Sequence, residues 1–269
     1  EEVADSLYAW RASAPEGIAF AGYDCSVTMV DQVGNEATVE CEGFDVDTLA
    51  PSISQVDLYQ GAASGTPPLS LPPSAMGDTV TLVFTLDEEA VASYPMVSIG
   101  PHPVLNCNNS ALTYTCSYVV GSEGESEVDG IYNVRVVSAD AAGNTTTRED
   151  PGETVTFDFT PPNILYQQIA PASTSAGETA QVFLTFSEPL SSIPNVTTEP
   201  ELPNPLGCTW SGDSYTNLVC ATTAPMTGEN DEYVVSLNPT DLAGNNHDAA
   251  LTLDSNIVFD LTPPGVSNV

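Results

Sequence analysis

The sequence predicts an all-β protein built of tandem β-sandwiches arranged end to end, and three observations carry that prediction. Short runs of alternating apolar and polar residues recur, as in Thr79 to Thr85, Tyr132 to Val137 and Tyr233 to Leu237, which is the period of a half-buried strand. The 22 prolines and 19 glycines are spread along all 269 residues, which leaves little room for long helices. One plan of residues then recurs at domain-sized intervals, so the chain is an array of like units.

The recurring plan is a tyrosine, an alternating run and Asp-x-x-Gly-Asn. It occurs from Tyr23 to Asp31 and Asn35, from Tyr132 to Asp140 and Asn144, and from Tyr233 to Asp241 and Asn245. The tyrosine precedes the aspartate by eight residues each time, and the aspartates lie 109 and 101 residues apart. The glycine supplies a left-handed backbone position and the aspartate can accept turn N–H groups, so the motif reads as a hairpin turn. The tyrosine reads as a packing or corner residue. Each copy leads to a closing signature, read here as Phe44-Asp45-Val46-Asp47, Phe157-Asp158-Phe159-Thr160-Pro161-Pro162 and Phe259-Asp260-Leu261-Thr262-Pro263-Pro264.

A second shared block precedes the plan in two copies only. Gly77-Asp78-Thr79-Val80 matches Gly177-Glu178-Thr179-Ala180, after which Glu88 and Glu188 hold equivalent places. The expected division is therefore residues 1–51 as the C-terminal half of a domain, 52–162 and 163–264 as complete domains, and 265–269 as the first strand of a following one. Paired prolines after two of the closures favour extended, stiff joints, hence a rod. The longest helix-compatible stretch is Glu1 to Ala14. Glu1 is not an initiator methionine, so the chain is expected to be a mature or excised piece.

The run from Tyr132 through Asn144 to Pro162, with the Gly77-Asp78-Thr79-Val80 start and Phe186-Ser187-Glu188-Pro189, resembles bacterial immunoglobulin-like (Big-type) repeats of large surface proteins, adhesins and extracellular fibres. That resemblance covers essentially the whole chain. It implies immunoglobulin-like sandwiches, with a fibre, filament or adhesin stalk as the function. It is specific for fold and weak for function, since that scaffold carries many jobs. Half a sandwich at residues 1–51 would expose strand edges and core, so completion by another chain through strand addition is one expectation, and excision from a longer tandem chain is the other. The expected partners are copies of the chain or neighbouring repeats. A cysteine pair in each repeat departs from the family's general pattern. The chain contains no lysine, so the Lys–Asn crosslinks of some bacterial surface fibres are impossible within it.

The six cysteines fall as Cys25 and Cys41, Cys107 and Cys116, and Cys208 and Cys220. Many connectivities are possible, but the local grouping favours three bridges within repeats and an oxidising, extracellular or cell-surface setting. Zinc would want closer spacing and partner histidines, and only His102 and His247 exist. Both are expected in exposed loops, which leaves no positioned base for nucleophilic catalysis. No enzymatic activity is expected.

Charge narrows the partners further. With 37 acidic and 3 basic side chains the net charge is −34, which excludes a nucleic-acid footprint and disfavours anionic membrane surfaces. No apolar run approaches a membrane span. No cofactor is required by the sequence. Calcium is the best ligand candidate, because it takes hard oxygen donors. Candidate ligands at the joints are Asp45, Asp47, Asp158 and Asp260, with Glu88 and Glu188, while Asp31, Asp140 and Asp241 are read chiefly as turn formers. The alternative is a carbohydrate- or protein-binding module carried by loop aromatics, Tyr94, Trp210 and Tyr215.

Overall fold

A computed structural model of the chain describes residues 11–121 and 127–265, and all regular structure in them is β. Most of the helix-compatible stretch lies outside the described residues, and its last four, residues 11–14, are irregular. The predicted strand at 265–269 also falls outside them, apart from Gly265.

Strands β1 (Ala19–Val30) and β2 (Glu36–Asp47) form an antiparallel hairpin, with Cys25 opposite Cys41. The next eight strands make the first sandwich. They are β3 (Asp57–Gln60), β4 (Thr79–Thr85), β5 (Met96–Ile99), β6 (His102–Val104), β7 (Asn106–Ser110), β8 (Thr113–Val119), β9 (Gly130–Ala139) and β10 (Thr145–Phe157). One sheet runs β3-β4-β8-β7 and the other β10-β9-β5-β6. Lettered in chain order, these are sheets ABED and GFC with an added edge strand, the strand order of an immunoglobulin fold.

The second sandwich repeats this order with β11 (Ile164–Ala170), β12 (Thr179–Phe186), β13 (Asn195–Glu199), β14 (Gly207–Trp210), β15 (Asn217–Thr223), β16 (Asp231–Asn238), β17 (Leu251–Thr252) and β18 (Ile257–Phe259). Its sheets run β11-β12-β15-β14 and β13-β16-β17, with β18 also pairing β16. The chain is thus a tandem of immunoglobulin-like sandwiches.

Alternation sets the cores. In β4, Val80, Leu82 and Phe84 point inward, and they meet Val134, Val136 and Phe157 from the opposite sheet. In the second sandwich Val182, Leu184 and Phe186 meet Val235, Leu237 and Phe259. Each such side chain contributes roughly 1.5–3 kcal/mol on burial. The shared block before β4 and β12 closes the sandwich at one end. Gly77 N–H donates to Val120 O and Gly177 N–H to Ala224 O, while Ser74 and Thr174 each form a parallel bridge to the closing Phe157 and Phe259.

Three disulfides are formed, Cys25–Cys41, Cys107–Cys116 and Cys208–Cys220, each between directly opposed residues of neighbouring strands. The tyrosine of the repeat is a corner residue in the first sandwich, where Tyr132 Oη donates to Val128 O at 2.9 Å. One expectation fails: His102 is no exposed loop residue. It lies in β6, is 4% exposed and is boxed by Tyr118, Tyr132 and Phe157. The flanking prolines that suggested a loop are tolerated because β6 is an edge strand, where proline breaks no essential ladder bond.

Candidate metal centres

The Asp-x-x-Gly-Asn motif folds as a closed turn in all three copies. In the second sandwich, Asp241 Oδ1 accepts the N–H groups of Gly244 and Asn245 at 2.6 and 2.8 Å, and its Oδ2 accepts Asn245 Nδ2 at 2.8 Å. Asp140 accepts Asn144 N and Nδ2 at 2.9 and 2.7 Å in the same way. Gly143 and Gly244 have φ of +92° and +99°, a region that side chains resist, which is why the fourth residue of the motif is glycine.

The turns of Asp140 and Asp241 sit at the joints, and each meets the linker that enters its own sandwich. Asn144 Nδ2 donates to Asp47 O and Leu49 O at 3.1 and 3.2 Å, and Asn245 Nδ2 donates to Asp158 O at 2.9 Å. His247 Nε2 lies 3.0 Å from Pro162 O. The two glutamates that follow β4 and β12 complete the arrangement. At the first joint Asp47, Glu88 and Asp140 bring one carboxylate oxygen each within 4.8 Å of the others. At the second, Asp158, Glu188 and Asp241 do the same.

The two clusters are built from corresponding parts: the aspartate ending one unit, the glutamate after the second strand of the next, and that unit's turn aspartate. Asp47 and Asp158 are equivalent because each stands six residues before an isoleucine, Ile53 and Ile164. The first closing signature is therefore Val46-Asp47, two residues later than the Phe44-Asp45 match suggests. Asp45 lies outside the cluster and accepts Gly22 N–H at 2.8 Å.

Burial first, and like charge second, raise three of these carboxyls. Burial, followed by Asp158 and Asp241, pushes the Glu188 carboxyl up to about 7. Burial with Asp140 and Asp47 raises Glu88 as well, and burial raises Asp158. Burial would also raise Asp140, but hydrogen bonds from Asn144, Gly143 and Ala142 outweigh it and hold that carboxyl low. Arg135 and Arg148 pair with β10 carboxylates, Glu149 for the first and Asp150 and Glu153 for the second, and do not neutralise the joints.

The sequence matches no protein-family model and no curated protein. Among solved structures, the chain is similar to the I-band fragment I67–I69 from titin, with 11% identity, TM-score 0.40, and 80% of this chain covering 66% of that fragment. It is also similar to fibronectin(III)-like modules of Clostridium thermocellum CbhA, with 13% identity and TM-score 0.31 over 76% of this chain and 93% of that one. Tandem Ig repeats of Dlar match with 12% identity and TM-score 0.24 over 79% and 99%.

Four of the six acids singled out in the sequence thus meet at the joints: Asp47, Glu88, Asp158 and Glu188. Asp260 occupies the equivalent place at the end of the second sandwich, where its Oδ1 lies 3.5 Å from Thr262 Oγ1. Asp140 and Asp241 are read from the sequence chiefly as turn formers, with calcium ligation as the lesser reading. Both also belong to the carboxylate clusters, and a carboxylate oxygen keeps lone pairs after accepting turn N–H groups. Their signal in the sequence was the fixed glycine and asparagine, which hold the carboxylate against the incoming linker. Of the aromatics, Trp210 packs on the second core beside Cys208 and meets Tyr215 edge-on at 5.6 Å and 87°. Tyr215 is exposed, so the pair presents one ring rather than a flat two-ring platform.

Proposed function

We propose that this chain is a section of an extracellular bacterial surface stalk or fibre, whose tandem sandwiches are locked in line by a calcium ion at each joint. The single observation that carries this reading is the repetition of one three-carboxylate cluster at both joints. Carboxylates brought this close disfavour one another's ionisation, and a bound cation would offset that repulsion. An ion bound at about 2.3–2.6 Å holds opposed ligand oxygens no more than about 4.6–5.2 Å apart, and each cluster falls within that span. Carbonyl oxygens of the linker and water would complete the six to eight donors calcium prefers. Asp47 and Asp158 belong to one unit and the glutamate and turn aspartate to the next, so the ion would tie two units together. The role is mechanical and spatial, with neighbouring repeats as partners, and the disulfides suit an oxidising exterior.

Calorimetry and small-angle scattering test both parts. Calcium at about 100 times its Kd should stabilise by about 2.7 kcal/mol per site, raise Tm and narrow the distribution of end-to-end lengths, and chelator should reverse this. Glu88→Gln with Glu188→Gln should abolish the response. A Tm indifferent to calcium and chelator rejects the cation. A compact, bent ensemble in either condition rejects the rod.

A further inference from the structure

Strand β13 has an open edge where its counterpart in the first sandwich is covered. Counted from Pro95 and Pro194, Val97 and Ile99 of β5 correspond to Val196 and Thr198 of β13. The pairing agrees: Val97 stands opposite Val136 and Val196 opposite Leu237, each four residues after the repeat tyrosine. In the first sandwich β6 lies along β5, with Val104 opposite Val97 and His102 opposite Ile99. All four of these residues are buried, at 5% exposure or less. In the second sandwich β13 pairs only with β16 among the described residues, and Val196 and Thr198 are only half-buried.

The backbone of β13 is set for a further strand. Val235 O accepts Leu253 N–H at 2.9 Å on the far side of β16, so it is turned away from Thr198, its neighbour across the ladder. Antiparallel ladders alternate, so Thr198 and Val196 turn their N–H and C=O groups to the outer edge. The chain's own next segment does not take them. Three of the seven residues from Pro200 to Leu206 are proline and lack a donor. Asn204 is drawn to the facing sheet, where its Nδ2 donates to Thr223 O at 2.8 Å and its O accepts Thr222 Oγ1 at 2.7 Å. Leu202 is buried in the second core. Between that segment and β13 lies a groove of about 500 Å³, with Val196, Thr198, Leu202 and Leu206 in its lining and Glu199 and Glu201 exposed along it.

The geometry points to β13 as a docking edge for an extended, cationic peptide segment of another protein, added antiparallel in the place that β6 holds in the first sandwich. Main-chain bonds to Val196 and Thr198 hold it, the mode of strand addition. Side chains two apart on the peptide face Val196 and Thr198, one apolar as Val104 is and one polar. Charge argues for the cation. Arg11, Arg135 and Arg148 all precede residue 163, so the second sandwich has no lysine or arginine, while Glu199 and Glu201 flank the groove. A second copy of the chain is the poorer occupant, because a net charge of −34 opposes close approach. This inference goes beyond the joints and rests on neither calcium nor the stalk reading.

The probe is the acetylated, amidated peptide Ser-Lys-Thr-Lys-Val-Lys, whose threonine and valine fall opposite Thr198 and Val196. Amide exchange of the full chain is followed by NMR, with sedimentation for its oligomeric state. The chain alone should be monomeric, with the Val196 and Thr198 amides exchanging freely. Peptide at about ten times its Kd should slow both by about 10-fold and leave Val97 and Ile99 unchanged. Thr198→Pro should abolish binding without breaking the ladder to β16, because the lost N–H faces outward. Glu199→Gln with Glu201→Gln should weaken binding by about 2–5-fold, the worth of a cross-strand charge pair. The same peptide N-methylated at its valine keeps the charge but loses a ladder donor, and should give no protection. Equal protection by the N-methylated peptide, or none by either, overturns the proposal. So does protection of these amides in the chain alone, whether as a monomer or as a dimer with a second copy on the edge.

Discussion

Asn245 in the second sandwich donates its side-chain amide to the main-chain oxygen of Asp158, 2.9 Å away at the end of the first. The same nitrogen reaches Asp241 Oδ2 at 2.8 Å. One amide therefore closes a turn and grips a linker at once. Asn245→Ala should lose both bonds, at about 1–3 kcal/mol in total, since one acceptor is a carboxylate. Urea unfolding followed by Trp210 fluorescence reads the second sandwich. Its midpoint should fall, scattering should show a looser joint, and the first sandwich should unfold as before.

The pH dependence of the metal-free chain should run against the usual acid lability. Burial first, and Asp158 and Asp241 second, raise Glu188 from its ordinary 4.5 to about 7 in the folded chain. A carboxyl that holds its proton more tightly when folded stabilises fully below pH 4.5 and loses that contribution as pH rises through 7. In chelator, Tm of the second joint should therefore decline between those two values. Glu188→Gln should flatten the decline. Calcium should flatten it too, by compensating the charge that appears. The depressed carboxyls of Asp31, Asp140 and Glu178 act in the opposite sense, but only in more acid solution.

Reduction of the hairpin bridges tests what the cysteines add. Cys107–Cys116 joins opposed residues of β7 and β8 that are nine apart in sequence. Closing so short a loop is worth about 2–3 kcal/mol in the chain-entropy picture. Cys107→Ala with Cys116→Ala should lower the urea midpoint of the first sandwich by that much and leave the second alone, because Cys208–Cys220 sits in a separate core. The fold should survive, since Cys116 contributes only one position to a core built on Phe84, Tyr118 and Phe157.

What the sequence made legible was whatever repeats locally. Alternation in Thr79 to Thr85 fixed an inward face, and the Asp-x-x-Gly-Asn spacing fixed a turn, because both depend on neighbours within a few residues. The cysteine pairs were legible for the same reason. The clusters were only half legible. Asp47, Glu88 and Asp140 are 41 and 52 residues apart, and only the packing of a linker against two loops brings them together. Asp45 drew attention through a Phe-Asp match that is two residues out of register, and the hydrogen bond to Gly22 shows its actual use. His102 was misread because flanking prolines say nothing about which strand lies at an edge.

An ion pair between half-buried Arg148 and buried Glu153 pins the edge of the first sandwich, and its removal should be the costliest single change considered. β10 breaks register between Glu149 and Thr154, and the interruption turns Glu153 inward. Its carboxylate accepts Arg148 Nη2 at 2.8 Å, Arg148 Nε at 3.2 Å and Val56 N at 2.9 Å. Glu153 is 8% exposed at its side chain and Val56 leads into β3, so the pair ties the last strand to the approach of the first. Arg148→Ala strands a buried carboxylate and should cost about 3–5 kcal/mol. Arg148→Lys keeps the charge but loses the forked geometry, and should fall between. Replacing the pair with Met and Leu removes the stranded charge, yet Val56 N still loses its acceptor, worth about 1–3 kcal/mol. The double variant should therefore be more stable than Arg148→Ala and less stable than the parent. Urea denaturation of the four chains gives the order, and a double variant no better than Arg148→Ala would show that Val56 N, rather than the buried charge, dominates the site.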